Sequence, residues 1–137
     1  MHEALPAFTV IRIPFDFNDG LGKVPKRFVI LCHQSGAAIS IKATSNLTVF
    51  DLYPERLKGV VKCAADECVA FPVETVIDPG NCFALPHVNL HAYLRAGTLE
   101  NLGSAVDLKK RLVEAIKGNE QLDPARVKGL LRCLGES

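Results

Sequence analysis

The chain has no tryptophan, and aromatic residues make up only 7% of it. Base-stacking platforms of the kind that single-stranded nucleic-acid binders use are therefore scarce. No apolar run approaches the roughly 18 residues that mark a membrane-spanning helix; the longest, such as Phe28 to Cys32, fit a strand. The opening Met1-His2-Glu3-Ala4-Leu5-Pro6 lacks a basic stretch ahead of an apolar one, so a secretory signal is not expected and the expected location is cytoplasmic. An excess of one charge is missing too. Lys+Arg number 16 and Asp+Glu 15, a net charge of +1. A strongly cationic nucleic-acid coat protein and a polyanionic tail are both excluded, although a locally basic site on a neutral protein is not. P-loop, GxGxxG, HExxH and GxSxG motifs are absent. The five cysteines, at 32, 63, 68, 82 and 133, are odd in number and show no CxxC spacing. Neither a zinc site nor a disulfide framework is expected from that pattern, and the expectation is five reduced thiols.

What is present describes a folded chain. Its 137 residues, 48% hydrophobic and 23% charged, suit one domain, with a β part over 8–83 and a helical part over 88–134. Phe8 to Ile13 is β-branched and alternating, and Arg27 to His33 reads as a buried strand. Gln34-Ser35-Gly36 is a tight turn into a second strand, Ala37 to Thr44, so 27–44 is a hairpin. Further strands are expected at Gly59 to Cys63 and at Cys68 to Ile77, followed by a turn at Asp78-Pro79-Gly80-Asn81. A short helix is expected at Leu90 to Arg95, stopped by Gly97. Ser104-Ala105-Val106-Asp107 reads as a capping box for a helix ending before Gly118, and Asp123-Pro124 as the N-cap and first residue of a last helix. Strand periods and helix periods are segregated along the chain, which is the α+β signature, and the fold class expected is a small antiparallel β-barrel with C-terminal helices.

Few residues stand out as chemistry. His2, His33, His87 and His91 do not fall at metal-ligand spacing, and His87 is expected to sit at a helix start. Cys32 and His33 are neighbours in a strand and so point to opposite faces, which rules them out as a nucleophile–base pair. The informative unit is Lys26-Arg27 at the head of an apolar strand, with Thr44-Ser45 at the end of the next. In a hairpin these meet at one end of the sheet. An arginine fork beside two hydroxyls suits a phosphodiester. The plainer alternative is a strand-edge charge beside a turn.

In its order of elements this stretch resembles the MazF/PemK toxins of bacterial toxin–antitoxin systems. The resemblance is carried by a strand over Phe8–Phe17, a glycine-bearing loop at Asn18–Pro25, Arg27 heading an apolar strand, a strand ending in Thr44-Ser45, and the later Glu74-Thr75-Val76-Ile77. It implies an SH3-like barrel, frequent homodimerisation, neutralisation by an antitoxin protein, and cleavage of single-stranded RNA with neither metal nor cofactor. By position it makes Arg27, Thr44 and Ser45 catalytic and places Lys23, Lys26 and Thr75 at the substrate. Asp19, Asp78 and His87, with His33, become candidates for acid or base, and 18–25 becomes a lid. Where the family usually has Pro after the strand-head Arg, this chain has Phe28. The alternative is a catalytically inactive barrel of the same shape, of phage or plasmid origin, that binds a partner protein.

Overall fold

Four consecutive apolar residues, Phe28-Val29-Ile30-Leu31, need cover on both faces of a strand, and the fold supplies it. The structure, a computed structural model, describes residues 4–15 and 23–136. The apolar run is the middle of β2 (Val24–Gln34), which pairs antiparallel with β1 (Thr9–Phe15) on one side and β3 (Ala37–Thr44) on the other. β3 pairs with β5 (Thr75–Pro86), β5 with the short β4 (Val61–Cys63), and β1 with β6 (Glu100–Ser104), all antiparallel. The strand order is β4-β5-β3-β2-β1-β6, and the sheet curls into a half-barrel with helices against it, a mixed α+β fold. Ser35 and Gly36, at φ 52° and 75°, make the tight β2–β3 turn, a geometry that matches strand twist.

The two faces carry separate cores. Val10, Val29, Leu31, Ile41, Ala43 and Ile77 meet Leu108 and the helices α3 (Lys109–Gly118) and α4 (Pro124–Cys133), through Leu112, Ile116, Leu130 and, just beyond α4, Leu134. On the other side Ile11, Ile13, Phe28, Ile30, Ala38 and Leu85 meet Leu5 and, through Leu90, α2 (His87–Ala96). A bulge between Ile30 and Cys32 breaks the alternation. It turns Cys32 to the side of Leu31 and α4, and turns His33 to the side of Ile30 and α2.

That bulge overturns the expectation of five free thiols. Cys32 and Cys133 form a disulfide, Cα–Cα 5.6 Å, across 101 residues of sequence, and Cys63, Cys68 and Cys82 remain free. Spacing arithmetic could not find the pair, because contact depends on where α4 crosses the sheet.

Other boundaries moved. Asp78–Asn81 does not reverse the chain: β5 runs through it, with residues 78–81 bulging out opposite Lys42, between the pairs Ala43–Ile77 and Ile41–Cys82. The Asp78 carboxylate accepts from the Gly80 N–H at 2.8 Å, so the turn chemistry is local while β3 keeps templating the strand. The strand expected from Cys68 begins only at Thr75; before it, Asp66 at φ 62° and the bonds Asp66 N to Phe71 O and Phe71 N to Cys68 O fold the chain on itself. β6 lies inside the segment expected to be helical. Ser104 Oγ does accept from Val106 N at 3.2 Å, but a 3₁₀ turn at Val106–Leu108 precedes α3, and Gly118 is the last residue of that helix rather than following it. A short helix α1 (Thr48–Leu52) and a 3₁₀ turn at Pro54–Leu57 fill a segment that carried no clear pattern. The start of α4 follows expectation: Asp123 accepts from Arg126 N at 2.8 Å, with Pro124 at the first helical position. Gly97, at φ 73°, closes α2 as expected.

Candidate functional site

Alternation along β3 puts Ser40, Lys42 and Thr44 on the α2 side of the sheet, and alternation along β2 puts Lys26 and Phe28 there as well. Beyond the reach of α2, Lys26, Lys42 and Thr44 open onto a cavity of about 470 Å³. Lys26, Lys42 and Thr44 form one wall, Arg56 and α1 another, and Asp78, Asn81 and Gln121 the third. Burial lowers the pKa of Lys42 below the ordinary lysine value, and the neighbouring Lys26 ammonium lowers it further. Two cations are thus held near each other at the sheet end, with Arg56 across the cavity.

The walls are pinned by side chain–backbone bonds. Thr44 Oγ1 accepts from Asn46 N at 3.1 Å and Asn46 Oδ1 accepts from Thr48 N at 3.3 Å, which fixes the passage from β3 into α1. Asn119 is buried and holds Asp78 in place: its Nδ2 donates to Asp78 Oδ1 at 3.2 Å and to Gly59 O at 2.8 Å, while its Oδ1 accepts from Gln121 N at 2.9 Å. The cavity therefore combines three basic side chains, a hydroxyl and a positioned carboxylate.

Aromatic residues continue the same sheet face. Phe15, Phe28 and Phe83 pack edge-on and tilted, with centroids 5.1–5.8 Å apart. Phe28 is fully buried, but Phe15 and Phe83 are partly exposed and, with Tyr93 and Asn89, line a smaller pocket of about 130 Å³. The Lys23 ammonium lies 5.9 Å from the centre of the Tyr93 ring, within cation–π range.

Of the residues singled out in the sequence, Lys26, Thr44 and Asp78 converge on the larger cavity. Arg27 does not join them. It sits opposite Arg12 and Ala43 in the register, so it shares the α3–α4 side with Val29, while Thr44 points the other way. Its Nε is buried and has no hydrogen-bond partner among the described residues. Ser45 is exposed just past β3. Thr75 is 1% exposed and its hydroxyl donates to Val73 O at 2.9 Å, which turns it into the protein. Lys23 is exposed at the aromatic pocket. Asp19, and the lid expected over 18–25 up to residue 22, lie outside the described residues.

His87 meets His33, which the sequence did not pair with it. His33 Nδ1 and His87 Nε2 are 2.8 Å apart, and His33 Nε2 lies 2.6 Å from Leu5 O. A carbonyl only accepts, so His33 Nε2 carries a proton, and one further proton serves the bond between the rings. Among the described residues no group of three or more His, Cys, Asp or Glu side chains is placed to hold a metal ion, and no helix is long and apolar enough to cross a membrane.

Lys42 was legible in principle, since the alternation of Ile39-Ser40-Ile41-Lys42-Ala43-Thr44 places it beside Thr44. Arg56 and Gln121 carried no signal, because only the tertiary fold brings them to the sheet. Comparison with protein-family models, curated proteins and solved structures finds no match to this chain.

Proposed function

We propose that the chain binds single-stranded RNA along the α2 side of the sheet, bases against Phe15, Phe83 and Tyr93 and backbone against Lys26, Lys42 and Arg56, and cleaves it there without a metal ion. The SH3-like kinship of the half-barrel belongs to the same reading. The observation that carries it is the convergence of those three cations with Thr44 on one cavity that adjoins partly exposed aromatic rings on the same sheet face. Spaced phosphates favour clustered ammonium and guanidinium groups, and base faces favour aromatic ones. Asp78 is the carboxylate within the cavity that can take the 2′-hydroxyl proton. Lys42, which gives up its proton more readily than an ordinary lysine, can deliver one to the leaving 5′-oxygen. In this reading Lys42 takes the part that the MazF/PemK resemblance gives to Arg27, and an antitoxin would neutralise the protein by covering this face.

A second reading is favoured by one observation: Arg27 and Thr44 are on opposite faces. A relative that has lost the usual cradle would bind RNA or a partner protein and cleave nothing. The test is a mixed-sequence single-stranded RNA incubated with the protein and EDTA, with binding followed by fluorescence anisotropy over a salt series. Binding that weakens with salt is expected, and Lys42→Ala or Lys26→Ala should each lower affinity about fivefold and reduce the salt slope by about 0.7. Products ending in 2′,3′-cyclic phosphate, lost in Asp78→Asn, distinguish cleavage from binding alone. No salt-dependent binding, or binding unchanged in Lys42→Ala, overturns the proposal.

A further inference from the structure

A larger cavity, about 580 Å³, opens on the other side of the sheet, between α4 and the strands β2, β3 and β5. Both halves of the Cys32–Cys133 disulfide line it, together with the free Cys82 and the side chains of Arg126 and Arg132. Cys32 and Cys133 are each half-buried, so the sulfur–sulfur bond is part of an open wall and is not sealed in the core. Neither Arg126 nor Arg132 makes an ion pair or side-chain hydrogen bond among the described residues. Two guanidinium forks without carboxylate partners thus stand over a reachable disulfide.

We propose that this cavity receives a low-molecular-weight thiol bearing carboxylate groups, which opens the Cys32–Cys133 disulfide and so loosens the last turn of α4 from β2. The arginines suit such a reagent in two ways: their forks match carboxylates, and their charge favours the thiolate that must attack. In the first step the reagent's thiolate attacks one of the two sulfurs. A bond forms between reagent and protein sulfur, the Cys32–Cys133 bond breaks, and the displaced cysteine leaves with the electron pair and takes a proton from water. A second thiolate then displaces the remaining protein sulfur from the mixed disulfide. In sum two reagent thiols are oxidised to their disulfide and Cys32 and Cys133 are reduced to thiols. Exposed disulfides are the labile ones, whereas buried structural ones resist exchange. Burial keeps the Cys82 thiol protonated, with Arg126 opposing that effect in part, so Cys82 is a slow third partner and the external thiol is the nucleophile.

The consequence for the fold is local. α4 is otherwise held to the core by the buried Leu130 and Leu134 and by the partly buried Val127 and Leu131. Without the covalent link its basic residues Arg126, Lys128 and Arg132 become available to trypsin through fraying of the helix.

The experiment uses the full chain and three probes at equal thiolate concentration: glutathione (anionic), 2-mercaptoethanol (neutral) and cysteamine (cationic). Disulfide opening is read by intact mass and by thiol titration. Glutathione is expected to open the bond roughly tenfold faster than cysteamine, the scale of a modest electrostatic steering effect. In Arg126→Gln with Arg132→Gln that preference should disappear, while Arg126→Lys with Arg132→Lys should keep part of it. Trypsin should cut within α4 faster once the wild-type disulfide is open. Equal rates for the three thiols, a preference untouched by the double Gln variant, or five titratable thiols in the denatured protein without reductant would each overturn the proposal. If the Gln variant fails to fold by circular dichroism, the wild-type comparison of the three thiols still decides.

Discussion

Replacing Gly59 by alanine should unfold the chain far more readily than the same change at Gly36, although both glycines have nearly the same backbone conformation. Gly59 sits at φ 76° and Gly36 at φ 75°. An L-residue held there costs about 1 kcal/mol in either case. The surroundings differ. At Gly36 the added Cβ meets nothing within 4 Å. At Gly59 it falls 2.5 Å from Asn119 Cα and 2.8 Å from both Asn119 N and Gly118 O, all backbone, so no side-chain rotation relieves it. The segment after α3 must move, and Asn119 moves with it. Its bonds to Gly59 O, to Asp78 and from Gln121 N are then lost or lengthened. At about 1 kcal/mol for each, with the conformational term, the loss is about 4 kcal/mol. For a chain of this size that lowers the melting temperature by about 15 °C, against about 4 °C for Gly36→Ala. Thermal unfolding followed by circular dichroism at a single scan rate measures both. If the two variants melt within about 3 °C of each other, the close approach of Gly59 to Asn119 is not the constraint described. Because Asn119 also holds Asp78, Gly59→Ala should disturb the basic cavity even at temperatures where the chain stays folded.

Asp123→Ala removes the acceptor for Arg126 N and should cost about 1 kcal/mol, read from urea unfolding midpoints. The Glu67 carboxyl is held below its ordinary value of 4.5, chiefly by its hydrogen bonds from Arg111. Its folded-state pKa is depressed, so its contribution is present above pH 4.5 and lost as the pH falls through the folded value. The stability gap between the wild type and Glu67→Gln should therefore be widest at neutral pH and narrow towards pH 3; an equal gap at both, by urea denaturation, would contradict that. Burial pushes the Cys63 thiol up to about 11, and Glu67 adds to the shift. At pH 8 Cys63 should thus react with Ellman's reagent only on unfolding, and a burst of three free thiols from the native protein would refute this.

How much of this was legible depended on the range of the interaction. The β2–β3 hairpin, the Asp123-Pro124 start of α4 and the Gly97 stop of α2 follow from signals within a few residues, and they stand where the sequence put them. Asp78-Pro79-Gly80-Asn81 carries an equally strong local signal, yet neighbouring β3 overrides it and the turn survives as a bulge. β6 was missed because Glu100 to Ser104 is a polar edge strand with no alternation to read. At the candidate site, hairpin logic brought Arg27 and Thr44 to one end of the sheet, but the register sets them on opposite faces. Lys26, Thr44 and Asp78 do meet, the last only because the bulge and Asn119 bring it there. The disulfide and the histidine pair both depend on the single extra residue of the β2 bulge, which no sequence period announces.

The disulfide also closes residues 32–133 into a covalent ring, with β1 and most of β2 outside it. Cys32 and Cys133 stand 101 positions apart in the sequence, and the ring they close includes the stretch from residue 45 to residue 74 that joins β3 to β5. A protease that nicks the chain anywhere inside the ring converts it into two polypeptides that still travel as one. Such a clipped form keeps its mass on a non-reducing gel, apart from one added water, and falls into fragments only when a reductant is present. Clipping and ring opening are therefore separable events, and only the two together release a piece of the protein.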